Sequence, residues 1–288
     1  MRQLLVIALC LVLSASASGA AQQGAGDLTG LGGTPLNNLG SVDASNATGP
    51  VVVDADNGIE WRRDKSIYIA RGNAKAVRGG MSIAADTLTA HYRNGADGKS
   101  SVYLVEADGS VIVVSGGSTI VGDRAVYDLD KGFAVITGKN LKGTSKDSVI
   151  TARDSLEYWT KMGAVVARGN AVASDPTHHV QADMLVGYYH IDPKTKQKKM
   201  YQVEATGHVA IENNGSLAHA DKTVYALYSE IATLEGNVNI TRGKNQLNGD
   251  HVVYNTKTGR ARVTGSKGHL KTLLLPGSGG PAGNPLQP

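Results

Sequence analysis

The chain has 288 residues, a formal net charge of +4, 36 glycines and only 5% aromatic residues. So few aromatic side chains argue against an ordinary globular core, whereas the high glycine content suits short strands joined by many turns. The charge is small and spread along the chain, so it gives no argument for nucleic acid as a partner.

Residues 1–21 are predicted to be a secretory signal peptide. Arg2 supplies the basic start, residues 4–13 form an apolar run, and small residues that suit cleavage follow. This run is too short to cross a bilayer, which favours a cleaved signal over an uncleaved anchor. Cys10 lies within the run and is the one cysteine, so the mature chain is expected to hold no disulfide.

The remainder divides by composition into a leader, a long β region and a tail. Residues 22–49 are rich in small and polar residues without a period and predict a flexible leader, and the Gly/Pro-rich residues 276–288 predict a disordered tail. From residue 50 to 275, apolar and polar residues alternate with a period of two, as in half-buried strands. No long segment has the helical period, so the sequence predicts an all-β fold.

A β unit recurs along this region. Glycines occur at 72, 109, 138, 169, 207, 236 and 265, and an Asp follows 14 residues after most of them, as Asp250 follows Gly236. We interpret each unit as a Gly within a strand, a turn, and an Asp that heads a short strand ending in Tyr. The gaps between the glycines form one pattern of three used twice, which predicts two similar blocks, about residues 50–146 and 147–275.

One unit cannot bury its apolar face alone, so the units must stack or fold over one another. Periodicity does not distinguish an antiparallel jelly roll from a parallel β-helix. The units recur about every 30 residues and contain turn signals such as Asn248-Gly249, which favours antiparallel hairpins. We therefore predict an elongated antiparallel β-jelly roll.

No residues show the spacing of a catalytic, cofactor or metal site, so none of these is expected. His178 and His179 are adjacent, but no further His or Cys stands at ligand spacing, and a polar loop is the simpler interpretation. The repeated Asp residues could form a carboxylate ladder. Because Asp beside a turn commonly bonds local backbone amides, a structural role is expected.

Three further features each leave two interpretations open. The basic run at residues 194–199 is either a solvated hairpin tip or an electrostatic contact with an anionic headgroup or partner. Tyr188 and Tyr189 are either an aromatic platform or ordinary strand residues. The interior of Val, Ile, Leu and Ala is either a closed core or a slot wide enough for acyl chains.

Several segments resemble the OstA-like family. They are residues 50–56 (PVVVDAD), 70–76 (ARGNAKA) and 83–88 (IAADTL), and in the second block 234–240 (LEGNVNI), 247–254 (LNGDHVVY) and 259–265 (GRARVTG). The resemblance covers about residues 50–268, and it is the ordered recurrence of these segments that is specific.

The resemblance implies a folded, twisted sheet open along one side, with lipid A acyl chains in its apolar groove. It also implies a periplasmic protein that bridges the inner and outer membranes in lipopolysaccharide transport. The implied partners are lipopolysaccharide, the inner-membrane transport complex, the outer-membrane translocon and head-to-tail copies of the chain. End-to-end contact is expected at Val51, Val52 and Val53. The groove positions carried over are Val105, Val111, Val113, Val203, Val209, Ile211, Leu234, Val238, Ile240, Val252 and Tyr254.

Two other classes of protein remain open at this point. A β-helix enzyme that degrades polysaccharides would need clustered carboxylates in a cleft. A structural or adhesive repeat protein would have a dry, filled core. The doubled block also leaves open whether one molecule spans what two copies of a shorter family member span.

Overall fold

The computed structural model describes residues 51–95, 100–115, 117–176, 178–194, 198–213, 215–258 and 260–265, and the backbone of 271–273. The predicted signal peptide, leader and tail lie outside the described residues. Within them there are 18 strands and no helix, which confirms the all-β prediction. No helix in the described part is long and apolar enough to cross a membrane.

The strands follow one another along the chain. They are β1 (Val52–Asp54), β2 (Ile59–Arg62), β3 (Ile67–Arg78), β4 (Met81–Asn94), β5 (Ser100–Ser115), β6 (Ser118–Asp128), β7 (Phe133–Thr137), β8 (Lys142–Ser145), β9 (Ser148–Thr151), β10 (Ser155–Trp159), β11 (Ala164–Ser174), β12 (His178–Ile191), β13 (Lys198–Asn213), β14 (Ser216–Ala226), β15 (Ile231–Arg242), β16 (Asn245–Asn255), β17 (Ala261–Thr264) and β18 (Lys271–Leu273).

The strands form one antiparallel meander. Each long strand pairs with the next from β3 to β6 and again from β11 to β16. Between these runs, β7 and β8 both pair with β6. β7 also pairs with β10, and β8 also pairs with β9. β9 and β10 in turn both pair with β11. All pairings are antiparallel, so the parallel β-helix alternative is wrong and the antiparallel prediction is confirmed.

Each long glycine-bearing strand bends at its middle. Gly72 and Asn73, for example, both have positive φ, and the register of β3 with β4 shifts between Arg71 and Ala74. A glycine in the left-handed region followed by one extra residue is a β-bulge, which bends a strand and increases its twist. The bend divides the sheet into half A, which contains β1, β8, β9 and β18, and half B, which contains β2, β7, β10 and β17. Every long strand contributes a part to each half.

The repeated Asp residues lie opposite these bulges. Asp250 stands in the middle of β16, so the prediction that the Asp heads a strand is wrong there, although Asp154 does directly precede β10. A Cβ added to Gly236 would come within 2.2 Å of Asp221 Oδ2 on the preceding strand, and the Asp86–Gly109 and Asp183–Gly207 pairs repeat this approach. The carboxylate therefore packs on the exposed backbone of each bulge, which supports the structural role predicted for Asp.

The strand lengths repeat along the chain. β4, β5 and β6 have 14, 16 and 11 residues, and β12, β13 and β14 have the same lengths. β1 and β2 pair with β3 in the register with which β9 and β10 pair with β11. This repetition lets each position of the first block be compared with its counterpart in the second. The block boundaries themselves stay a prediction.

Candidate functional site

A cavity of about 890 Å³ lies between halves A and B and extends from the first block into the start of the second. Its lining runs from Val51, beside the end strand β1, to Ala167 of β11 in the second block. Ligand cavities in proteins commonly have volumes of about 300–1,000 Å³ and predominantly apolar walls. We call this cavity the chamber.

Two cross-strand rows of apolar residues form the opposing walls of the chamber. In a row, each residue faces its paired neighbour across the ladder, so the side chains stand side by side on one face. Row A, on half A, is Val53, Ala76, Ile83, Val113, Ile120, Gly143 and Ile150. Row B, on half B, includes Ile59, Ala70, Leu88, Ala125, Ile136, Leu156 and Ala167.

Small residues interrupt both rows. Ala76 and Gly143 stand in row A, and Ala70 and Ala125 stand in row B. Protein interiors normally pack to crystal-like density, so an apolar space of this size is unusual and calls for an occupant.

The predicted groove residues occupy three kinds of location in the structure. Val105 and Val113 line the chamber, while Val111 is fully buried beside it. Six residues of the second block are buried in a packed core: Val203, Val209, Ile211, Leu234, Val238 and Val252. Ile240 and Tyr254 are half-buried against that core. The first-block lining that the sequence missed includes Ile83 and Ile120, which alternation alone could have suggested.

The predicted end residues lie at one end of the meander. Val51 and Val53 line the chamber, whereas Val52 is 61% exposed. β1 and β2 pair only with β3 among the described strands, so their outer edge is open. The chamber therefore reaches the end of the described fold.

The chamber also has polar margins where strands turn. Rim A, at the ends of the half-A segments, contains Arg78, Met81, Ser115 and Ser118. Rim B, on the other half, contains Ser100, Ser101, Val102 and Leu129. The walls are apolar and the rims are polar, an arrangement suited to an amphiphile with a hydrocarbon part inside and a polar part at the margin.

The same margins are closed in the second block. Register places Asp175 and His178 at the positions of Arg78 and Met81, and His178 Nδ1 lies 3.0 Å from a carboxylate oxygen of Asp175. His178 is buried while His179 is exposed, because successive side chains of a strand point to opposite faces. The adjacent histidines therefore do not face one another.

A cluster of two tyrosines and a lysine lies at the other margin, where the chamber meets the packed part of the second block. Tyr189 Oη donates to Tyr158 Oη at 2.7 Å, and the two rings stack with centroids 5.8 Å apart. The Lys198 ammonium donates to Tyr158 Oη and lies 5.1 Å from the Tyr189 ring centroid. Lys199 pairs with Asp192, so two lysines of the basic run are engaged within the fold. Lys196 lies outside the described residues.

Comparison with known proteins decides the family. The family described as LptA/(LptD N-terminal domain) LPS transport protein matches the chain twice, over residues 52–158 and 149–260. The chain belongs to this family. The resemblance to the OstA-like family is thereby confirmed.

One solved structure similar to this LptA/LptD-family chain is LptH of Pseudomonas aeruginosa. It is described as the LptA-homologous periplasmic component of the conserved lipopolysaccharide transport device. The similarity has 16% sequence identity and a TM-score of 0.39, and it covers 46% of this chain and 96% of LptH. No curated protein matches the chain.

In this member of the LptA/LptD family, Glu157 is the one carboxylate among the described lining residues. It accepts hydrogen bonds from Arg168 at 2.7 Å, Ser155 at 2.8 Å and Trp159 at 2.9 Å. Burial acts to raise the pKa of Glu157, but these three donors together hold that pKa below its ordinary value. The group is therefore a paired anion within the wall and is poorly placed to act as an acid or base.

Proposed function

We propose that this LptA/LptD-family protein is a periplasmic carrier of lipopolysaccharide that holds lipid A acyl chains in the chamber. The single observation that carries the proposal is the unfilled apolar space between rows A and B, open at the end strands and bordered by polar rims. A structural repeat protein with a dry core would have no use for such a space. Export through a cleaved signal peptide would bring the chain to the periplasm.

The energetic reason for a carrier is the cost of exposing acyl chains to water. Each CH₂ group removed from water contributes about 0.8 kcal/mol, so several chains cannot cross an aqueous compartment unaided. The chamber offers them aliphatic walls, and its carboxylate Glu157 is already paired. The ligand is held by burial, which is not directional, and can move along the rows.

Rows A and B continue in register through the second block. Row A passes from Ile150 through Ala173 and Val180 to Ile211, and row B passes from Ala167 to Leu185. Here the two halves pack together, so onward movement of a lipid requires them to separate. As long as the halves of the second block stay packed, the chamber holds the lipid and the second block adds length to the proposed span between the membranes.

The proposed partners are the inner-membrane transport complex, the outer-membrane translocon and further copies of this chain. An open strand edge offers unpaired amides and carbonyls to a strand of another molecule. The exposed β1–β2 edge would supply one side of a head-to-tail contact, through Val51, Val52 and Val53. We propose residues 265–275 for the other side. Stacking would align the open end of the chamber with its neighbour.

Native mass spectrometry of the full chain, purified from a Gram-negative host, tests the proposed function. We expect one lipopolysaccharide molecule per chain, because the chamber ends at β11 and the rest of the second block is packed. Incubation with excess ligand should not raise this ratio. Protein that carries no lipopolysaccharide, even after such incubation, would contradict the carrier, and two molecules per chain would contradict a closed second block.

Light scattering across a concentration series tests the end contact. Wild-type chain should gain mean mass with concentration, whereas Val52→Lys should remain monomeric, because a lysine on an edge strand opposes strand addition. Leu217→Lys, on β14 and 39% exposed, is the matched control and should associate like wild type. Equal association of all three proteins would rule out β1 as the contact.

A further inference from the structure

The chamber contains an arginine, Arg78, with no side-chain partner among the described residues. Arg78 is the one cation among the described lining residues, and its Nε is buried without a hydrogen-bond acceptor. No ion pair forms between Arg78 and any described residue. A buried donor left unpaired destabilises a fold, so an acceptor from outside the chain would relieve that cost.

The position of Arg78 suits the polar end of an amphiphile. It is the last residue of β3, on rim A, and Ile83 and Val113 of row A lie behind it in the apolar wall. A ligand with its hydrocarbon chains between the two rows would therefore bring its headgroup to this rim. A guanidinium group is planar and carries several N–H donors, which suit the oxygens of a phosphate group.

The second block carries the opposite charge at the same place. Asp175 occupies the counterpart position of Arg78, and His178, in the place of Met81, is paired with it. A carboxylate at that rim would repel an anionic headgroup and is already engaged. The two blocks share their strand lengths, so the contrast at this rim is local to its side chains.

We infer that Arg78 is the headgroup-recognition residue of the chamber and binds a phosphate group on the sugar of lipid A. The inference rests on the proposed function and adds to it the polar group that orients the lipid. Tails between the rows and a phosphate on Arg78 give the bound lipid one orientation, headgroup toward rim A. Only the first block can recognise the lipid in this way.

Binding of phosphorylated and dephosphorylated lipid A to the full chain separates the headgroup from the tails. For Arg78→Gln, we expect affinity for phosphorylated lipid A to fall about tenfold or more, since a charge-assisted hydrogen bond is lost. Affinity for dephosphorylated lipid A should stay unchanged. Arg242→Gln is the matched control, because Arg242 also ends a strand before a glycine turn in half A but does not line the chamber. It should bind both ligands like wild type.

The outcomes distinguish the two proposals. Equal losses for both ligands in Arg78→Gln, or an equal loss of phosphorylated lipid A in Arg242→Gln, would overturn Arg78 as the phosphate site. Wild-type protein that binds both ligands with equal affinity would overturn headgroup recognition and leave the carrier function standing. Wild-type protein that binds neither ligand would overturn the carrier function and this inference with it.

Discussion

The Val113→Asp substitution is expected to weaken lipopolysaccharide binding at least about 100-fold. Val113 stands in the middle of row A, paired with Ile83 on one side and Ile120 on the other, and all three line the chamber. A carboxylate there would lose its water when acyl chains enter, at a cost of several kcal/mol. Each 1.4 kcal/mol is tenfold in affinity, so about 3 kcal/mol suffices for the expected loss.

Ile112→Asp is the matched control for Val113→Asp. The two residues are neighbours on β5, but Ile112 points to the opposite face and is 43% exposed. This control adds the same charge to the same strand without entering the chamber, so it should bind lipopolysaccharide like wild type. Affinity is measured by displacement of a fluorescent lipopolysaccharide, and thermal melting followed by circular dichroism checks that each variant is folded.

A neutral variant separates loss of space from loss of stability. Ala76→Phe fills part of row A between Val53 and Ile83 without introducing charge. Because the added ring occupies the volume that the tails need, this variant should also bind weakly while remaining folded. Folded Val113→Asp and Ala76→Phe proteins that both bind like wild type would place the acyl chains outside the chamber.

Charged substitutions in the second block would not test the groove. Val209 and Val238 are only 1% and 2% exposed, within a closed core. An aspartate there would be buried without a partner and would unfold the protein, which removes binding for a reason unrelated to the ligand. A test of the groove therefore requires substitutions at residues that line the chamber.

The alternation of apolar and polar residues was sufficient to predict the strands, but it did not indicate the bends within them. In β15, Leu234, Val238 and Ile240 all point inward, because the two bulge residues preserve the even spacing. In the facing strand β16, Leu247 and Val252 both point inward although their spacing is odd. The shift falls at Asp250 and His251, so the Asp was interpreted as the start of a new strand.

The location of the chamber could not be predicted from the sequence. Both blocks have the same alternation, and residues such as Val105 and Val203 occupy counterpart positions with similar side chains. The free volume depends on many side chains that meet across the fold. It therefore also depends on differences between the blocks, such as Met81 at the rim of the chamber and His178 at the counterpart position of the second block. Cross-strand register, which a single sequence does not give, decides which of these side chains meet.

The Gly207→Ala substitution should destabilise the protein by about 3 kcal/mol or more, from two separate causes. Gly207 has a φ of +79°, where an L-residue costs about 1–2 kcal/mol. Its added Cβ would also lie 2.2 Å from Oδ2 of Asp183, which no pair of atoms tolerates without movement. Moving the Asp183 carboxylate would break its 2.8 Å contact with His208 Nδ1. The free energy of unfolding is measured by urea denaturation.

Gly215→Ala isolates the backbone cause from the steric one. Gly215 has nearly the same φ, +77°, but nothing lies within 4 Å of an added Cβ. This control should therefore lose only about 1–2 kcal/mol. In the double variant Gly207→Ala/Asp183→Ala the two shortest contacts, with Oδ2 and Cγ of Asp183, are absent and only the 2.9 Å approach to Cβ remains, so its loss should be smaller than the sum of the two single losses by at least about 1 kcal/mol. Additive losses, with Gly207→Ala no worse than Gly215→Ala, would show that the Asp–Gly approach does not constrain the bend. Coupling of the expected sign would show that Asp183 on one strand constrains the bend at Gly207 on the next.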